Sequence, residues 1–140
     1  MQQAYGNKVR IVFKDFPLPN HAEAFKASEA AHCAGDQGKY WEMNGALFES
    51  PARDVGGLVG VAGKVGLNTA SFRSCLEGGK FSARVRESVS RMQALGVDST
   101  PMFLIGLTPA AGQPLKVLRV VRGAVPCEEF KTALDKALSQ

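Results

Sequence analysis

Three cysteines, two histidines and a few adjacent acids are the residues of this chain whose types could support chemistry. Cys33, Cys75 and Cys127 stand far apart, without the close pairing of a zinc site, and no Cys-X-X-Cys occurs among the 140 residues. Thiol–disulfide exchange needs an accessible thiolate and a second thiol to resolve the mixed disulfide. Neither is offered by position. Cys127 falls where a helix is expected to begin; backbone N–H groups there favour a thiolate, whereas Glu128 and Glu129 oppose it. A nucleophilic cysteine also wants a histidine in reach, and only His21 and His32 exist. His32 and Cys33 are neighbours on a predicted helix, so they point in different directions and share no ion. No catalytic residue and no metal ligand is therefore assigned. The stretch GGLVGVAG fits neither Gly-X-Gly-X-X-Gly nor a phosphate loop ending in Lys-Ser or Lys-Thr, and no cofactor is expected. Tyr40, Trp41, Leu47 and Phe48 could line a pocket, but aromatics at helical spacing are expected in a core.

The elements that would carry these residues follow from periodicity and punctuation. Residues 9–16, VRIVFKDF, are β-branched and aromatic and read as a strand that Pro17 and Pro19 stop. Asn20, with Glu23 three positions on, is placed to cap an alanine-rich helix over 21–35. Gly35 and Gly38 then separate it from a helix over 39–48. Val55, Leu58, Val59, Ala62 and Val65 recur at helical spacing despite the glycines among them. A short helix follows Asn68, with Phe72, Cys75 and Leu76 on one face and Gly78 as its stop. Phe81, Val85, Val89, Met92 and Leu95 mark a longer amphipathic helix. Strands are expected at 102–105 and 116–122, joined by a turn-rich loop, and Pro126 fits the first position of a last helix. One strand, a block of helices, a hairpin and a terminal helix describe an α/β core with a helical insertion at about 21–96 in a single domain of residues 1–140.

Four blocks in this order resemble the DsbA-like branch of the thioredoxin superfamily: KVRIVFKDFPLPNHAEAFKASEAAHCAGDQGKYWEMNGALFES, FRSCLEGGKF, GVDSTPMFLIG and GAVPCEEFKTALDKAL. The resemblance implies a thioredoxin-like α/β fold with an inserted helical subdomain, in thiol–disulfide oxidoreductases acting on protein substrates. It also implies that Ser99, Thr100 and Pro101 form the loop whose proline is cis and which offers backbone groups to an extended peptide. By composition alone, a trans proline starting a strand is the better reading. Some members carry two further cysteines in the helical subdomain that bridge, which would pair Cys33 with Cys75; two small buried thiols remain the other reading.

The strand and the Cys-X-X-Cys helix that open such a fold have no counterpart before residues 9–16, so the fold is expected to be incomplete at its N-terminus and inactive in disulfide exchange as this chain. The alternative is a non-catalytic module that binds a peptide or protein through Ser99, Thr100 and Pro101 or through an open sheet edge. A missing interior strand leaves unpaired N–H and C=O rows, for which a homodimer or a strand-completing partner is the expected remedy. Seventeen Lys and Arg against thirteen Asp and Glu give +4, spread over several elements; this mild, scattered charge argues against a nucleic-acid partner. No apolar run reaches the roughly 18 residues of a membrane span, so no membrane partner is expected. Location follows from the start: cytoplasmic if Met1 is the natural first residue, periplasmic or exported if an N-terminal segment was removed.

Overall fold

The computed structural model describes residues 2–51 and 54–139 and separates into two compact units, Lys14–Gly96 and the remainder, which joins the segment ending at Phe13 to the chain from Val97 onward. The first unit is all helix: α2 Ala24–Gly35, α3 Tyr40–Glu49, α4 Val55–Lys64, α5 Thr69–Glu77 and α6 Ser82–Ala94. The second holds a short α1 Gln2–Tyr5 with a 3-10 turn Gly6–Lys8, the strands β1 Met102–Gly106 and β2 Val117–Arg122, and α7 Cys127–Leu138.

The helical unit closes around small side chains. Ala30, Cys33 and Ala34 of α2 let α4 and α5 approach, and Leu58, Val61, Ala62, Phe72, Leu76 and Met43 fill the space between them. α4 forms in spite of its glycines because Asp54 caps it, Oδ1 accepting from the Gly57 N–H at 2.6 Å, and because Leu58, Val61 and Ala62 share one buried face. Its C-terminal carbonyls are met by a cation: Lys39 Nζ donates to Val65 O at 2.7 Å and to Gly66 O at 3.2 Å. Asn68 caps α5 in the same manner, accepting from Ser71 N–H at 2.9 Å. Cys33 and Cys75 form a disulfide between α2 and α5, with Cα atoms 5.9 Å apart. Glu29, fully buried on α2, is matched by Lys26 Nζ at 2.7 Å and by a donated hydrogen bond from the Ser82 hydroxyl. A buried carboxylate without such partners would be strongly destabilising.

In the sheet unit β1 and β2 pair antiparallel, Met102 opposite Arg122 and Phe103 opposite Val121, with a register shift after Ile105. Gly106 sits at that shift, where an added Cβ would overlap the Lys116 carbonyl oxygen. α7 lays Ala133, Leu134 and Ala137 over Ile105 and Val121, and Phe103 meets Phe130 edge-on at 4.8 Å. Helices and a small sheet thus give an α/β architecture.

Several expectations are corrected. Residues 9–16 form no strand; 9–18 carry no regular element, and Ile11, Val12 and Phe13 are 48%, 58% and 42% exposed. Their β-type composition describes a surface suited to a sheet, and the only sheet among the described residues is the β1–β2 pair. Asn20 does not cap α2: residues 18–23 turn first, His21 N–H to Leu18 O and Ala24 N–H to His21 O, and the helix starts at Ala24 without a side-chain cap. Pro126 stands at the cap position, one residue before the helix. On α3 the core residue is Met43, whereas Trp41 and Phe48 face solvent. Leu95, expected on the buried stripe of α6, lies beyond the helix and is exposed.

Candidate functional site

The loop of Ser99, Thr100 and Pro101 leads directly into β1, and all three residues are exposed. The Thr100–Pro101 peptide bond is cis. Two short-range devices hold the loop to the hairpin. Pro101 O accepts from Gly123 N–H at 2.8 Å, continuing the ladder one step past Met102 and Arg122. Asp98 collects the Ser99 hydroxyl at 2.9 Å and an Arg122 guanidinium N–H at 3.1 Å. The Ser99 hydrogen bond, reinforced by the Arg122 charge, holds the Asp98 carboxyl below the usual carboxylate range. Asp98 therefore stays charged and keeps the loop tied to β2. Among the described residues β1 has β2 on one edge and no strand on the other, so a row of main-chain donors and acceptors begins beside the loop.

Cys127 opens α7, exposed and unbridged, whereas the other two sulfurs are bonded to each other. No group of three or more His, Cys, Asp or Glu able to hold a metal ion occurs among the described residues. Farther along α7, Tyr5 donates to Asp135 Oδ1 at 2.8 Å and to Lys131 O at 3.2 Å, and that bond to Asp135 pushes the phenol pKa up. An open depression of about 410 Å³ beside it is lined by Ala4, Lys8, Leu138 and Ser139. Its two principal polar groups, Tyr5 and Asp135, are already spent on each other.

A second polar cluster lies within the helical unit, and sequence reasoning missed it. Asp15 is buried, and its Oδ2 accepts from His32 Nε2 at 2.8 Å; Ser88 Oγ donates to Asp15 O at 2.9 Å. The His32 ring lies 5.4 Å from both Tyr40 and Phe81. Burial, then the Asp15 charge, pushes the Tyr40 phenol up to about 12, against a smaller opposing pull from Arg84. The cluster's one trace in the sequence is Asp15, an acid within the run VRIVFKDF; nothing local points from it to His32. His32 is thus a largely buried group and the partner that makes burial of Asp15 tolerable.

A family model described as thioredoxin matches residues 2–136 of the chain. The chain belongs to the thioredoxin family. It is also similar to a stretch of three much longer proteins. It is 33% identical over 99 residues to Na(+)/H(+) antiporter NhaA 1 of Salinispora arenicola, covering 69% of this chain and 15% of that protein. It is 31% identical over 100 residues to Na(+)/H(+) antiporter NhaA 3 of Salinispora tropica, with the same two shares. For Na(+)/H(+) antiporter NhaA 1 of Mycobacterium sp. strain KMS the identity is 28% over 105 residues, 72% of this chain and 17% of that protein. The chain thus spans about a sixth of the length of these curated relatives.

Proposed function

We propose that this thioredoxin-like chain is a polypeptide-binding module of the DsbA-like type, which takes an extended segment along the Ser99–Pro101 loop and the free edge of β1. The observation that carries this reading is the open β1 edge beginning at an exposed loop that Asp98, Arg122 and Gly123 hold in place. A peptide strand added there gains main-chain hydrogen bonds whatever its sequence, with side-chain preference set by the residues flanking the edge. Similarity to a small part of long antiporter proteins supports a module that works alongside other segments.

Disulfide exchange by this chain alone is not part of the reading. Of its three cysteine sulfurs, two are consumed in the Cys33–Cys75 bridge and the third, Cys127, has no second thiol to complete a turnover. With dithiothreitol as reductant, insulin reduction is expected to run at the reagent's own rate. Carboxymethylated, permanently unfolded lactalbumin is expected to slow amide exchange of residues 102–106. Insulin turnover above the reagent rate would restore a redox role. Unchanged exchange at 102–106 would remove the peptide edge. Protection at those amides without added polypeptide, in a chain sedimenting as a dimer, would assign the edge to a second copy.

A further inference from the structure

The outer face of α3 is the feature that neither the core nor the β1 edge explains. Trp41 and Phe48 are 55% and 77% exposed. They stand seven residues apart and so lie on one side of α3. Gly45 falls between them in sequence, and a Cβ built there meets nothing within 4 Å, so the side-chain surface of the helix has an open notch at that position; the Trp41 ring stands edge-on to Tyr40 at 5.3 Å. Glu42 and Glu49 follow Trp41 and Phe48 directly, also seven apart and exposed. At about 3.6 residues per turn all five residues occupy roughly a third of the circumference. Neither carboxylate has an ion-pair partner among the described residues; Lys39, three positions before Glu42, is committed to the end of α4, and Arg53, four positions after Glu49, lies outside the described residues.

We propose that this face docks a basic amphipathic segment of a partner polypeptide, one apolar side chain of which enters the notch over Gly45 while its Lys or Arg side chains pair with Glu42 and Glu49. Charge selects the occupant. An anionic bilayer or a nucleic-acid backbone would bring phosphates against two fixed carboxylates, whereas a basic helix or strand meets them with opposite sign. The aromatic rings suit the same partner twice, as apolar contact area and as a face on which a guanidinium or ammonium can rest. Glycine at the centre lets the partner's side chain approach the helix backbone, which any larger residue would cover. This surface belongs to the helical unit and stands independently of the reading of the β1 edge.

Trp41 is the one tryptophan of the chain, so its emission reports the encounter directly. The probe is a helical peptide of about 18 residues built from Leu and Lys in helical period, set against a counterpart with Glu in place of every Lys. The Leu/Lys peptide is expected to give a saturable blue shift that weakens with added salt, and the Leu/Glu peptide none. Gly45→Gln fills the notch with a good helix former and should abolish the shift while far-ultraviolet circular dichroism stays unchanged. The double variant Glu42→Gln/Glu49→Gln should weaken binding about five- to tenfold. An equal response to both peptides, or undiminished binding by both variants, would overturn the proposal. So would a shift that grows with the chain's own concentration as it dimerises, which assigns the face to a second copy. A shift on phosphatidylglycerol vesicles but not on the Leu/Lys peptide would assign it to a membrane and equally overturn it.

Discussion

The helical unit and the sheet unit of this chain obey the same packing rules to different degrees of completion. In Lys14–Gly96, five helices enclose residues with no accessible surface, among them Phe72, Met43, Leu58 and Leu76; the buried Glu29 is paired with Lys26, and Asp15 is paired with His32 through Oδ2 while its buried Oδ1 has no hydrogen-bond partner. A cross-link joins α2 to α5 through the middle of that core. In the other unit the core is Ile105, Val121 and one stripe of α7, each side chain small or slightly open, while Phe103, Val117, Val120 and residues 11–13 remain at the surface. Helices satisfy their own backbone, so a helical bundle is complete once its side chains interlock. A sheet is complete only when its edges are paired. The difference teaches what each unit can offer: the helical unit presents a surface, whereas the sheet unit presents an edge on which a strand can pair.

If that contrast is right, damage to the helical core should cost most. Phe72→Ala empties the largest fully buried side chain, and a loss of about 4–5 kcal/mol in urea unfolding is expected. A loss under about 2 kcal/mol would show that the bundle is looser than it looks. Next comes the cross-link. Replacing Cys33 and Cys75 together by Ala releases a 42-residue loop, for which the chain-entropy model gives about 4 kcal/mol, again read from urea midpoints. In the sheet unit, Ile105→Ala should cost less, about 2–3 kcal/mol, because its cavity can collapse toward solvent. An effect equal to that of Phe72→Ala would erase the contrast between the two units. The smallest effect is one of pH. Tyr40 holds its proton to about 12 in the folded chain, whereas an unfolded tyrosine releases it near 10. Between those values the folded state binds the extra proton, so its stabilising contribution is whole below pH 10 and is lost as pH rises toward 12. Absorbance titration of the Tyr5→Phe variant isolates Tyr40; a midpoint near 10 would place that ring in water.

What could be read from the sequence divides along the same line. α4 was legible despite its glycines, because the spacing of Val55, Leu58 and Ala62 is a local signal; the cap by Asp54 emerged only from the structure. The hairpin and α7 were legible for the same reason, to within a residue or two at their ends. Residues 9–16 were misread because a strand is a joint property of two segments, and composition shows only one of them. Trp41 and Phe48 were misread because helical spacing shows that residues share a face but not which face meets the core; Met43 held that place. The Asp15–His32 pair joins positions 17 apart through tertiary packing, beyond any local pattern. Ser99, Thr100 and Pro101 came from family likeness, since nothing in their chemistry distinguishes them from an ordinary turn. Between Cys33 and Cys75 the sequence left a bridge and two free thiols equally open, and only the meeting of α2 with α5 decides.

The bare stretch from Ile11 to Phe13 has a consequence for handling and for lifetime. Three sticky, sheet-prone side chains in a row, held open to water, make a seed for self-association into fibrils or precipitates. Arg10 and Lys14 bracket the trio with like charges, and such bracketing cations act as gatekeepers that repel a second ribbon before it can stack. Acetylating Lys14 would leave the Arg10 guanidinium as the one bracketing charge, and raising the salt would screen both, so either change is expected to favour stacking of this stretch.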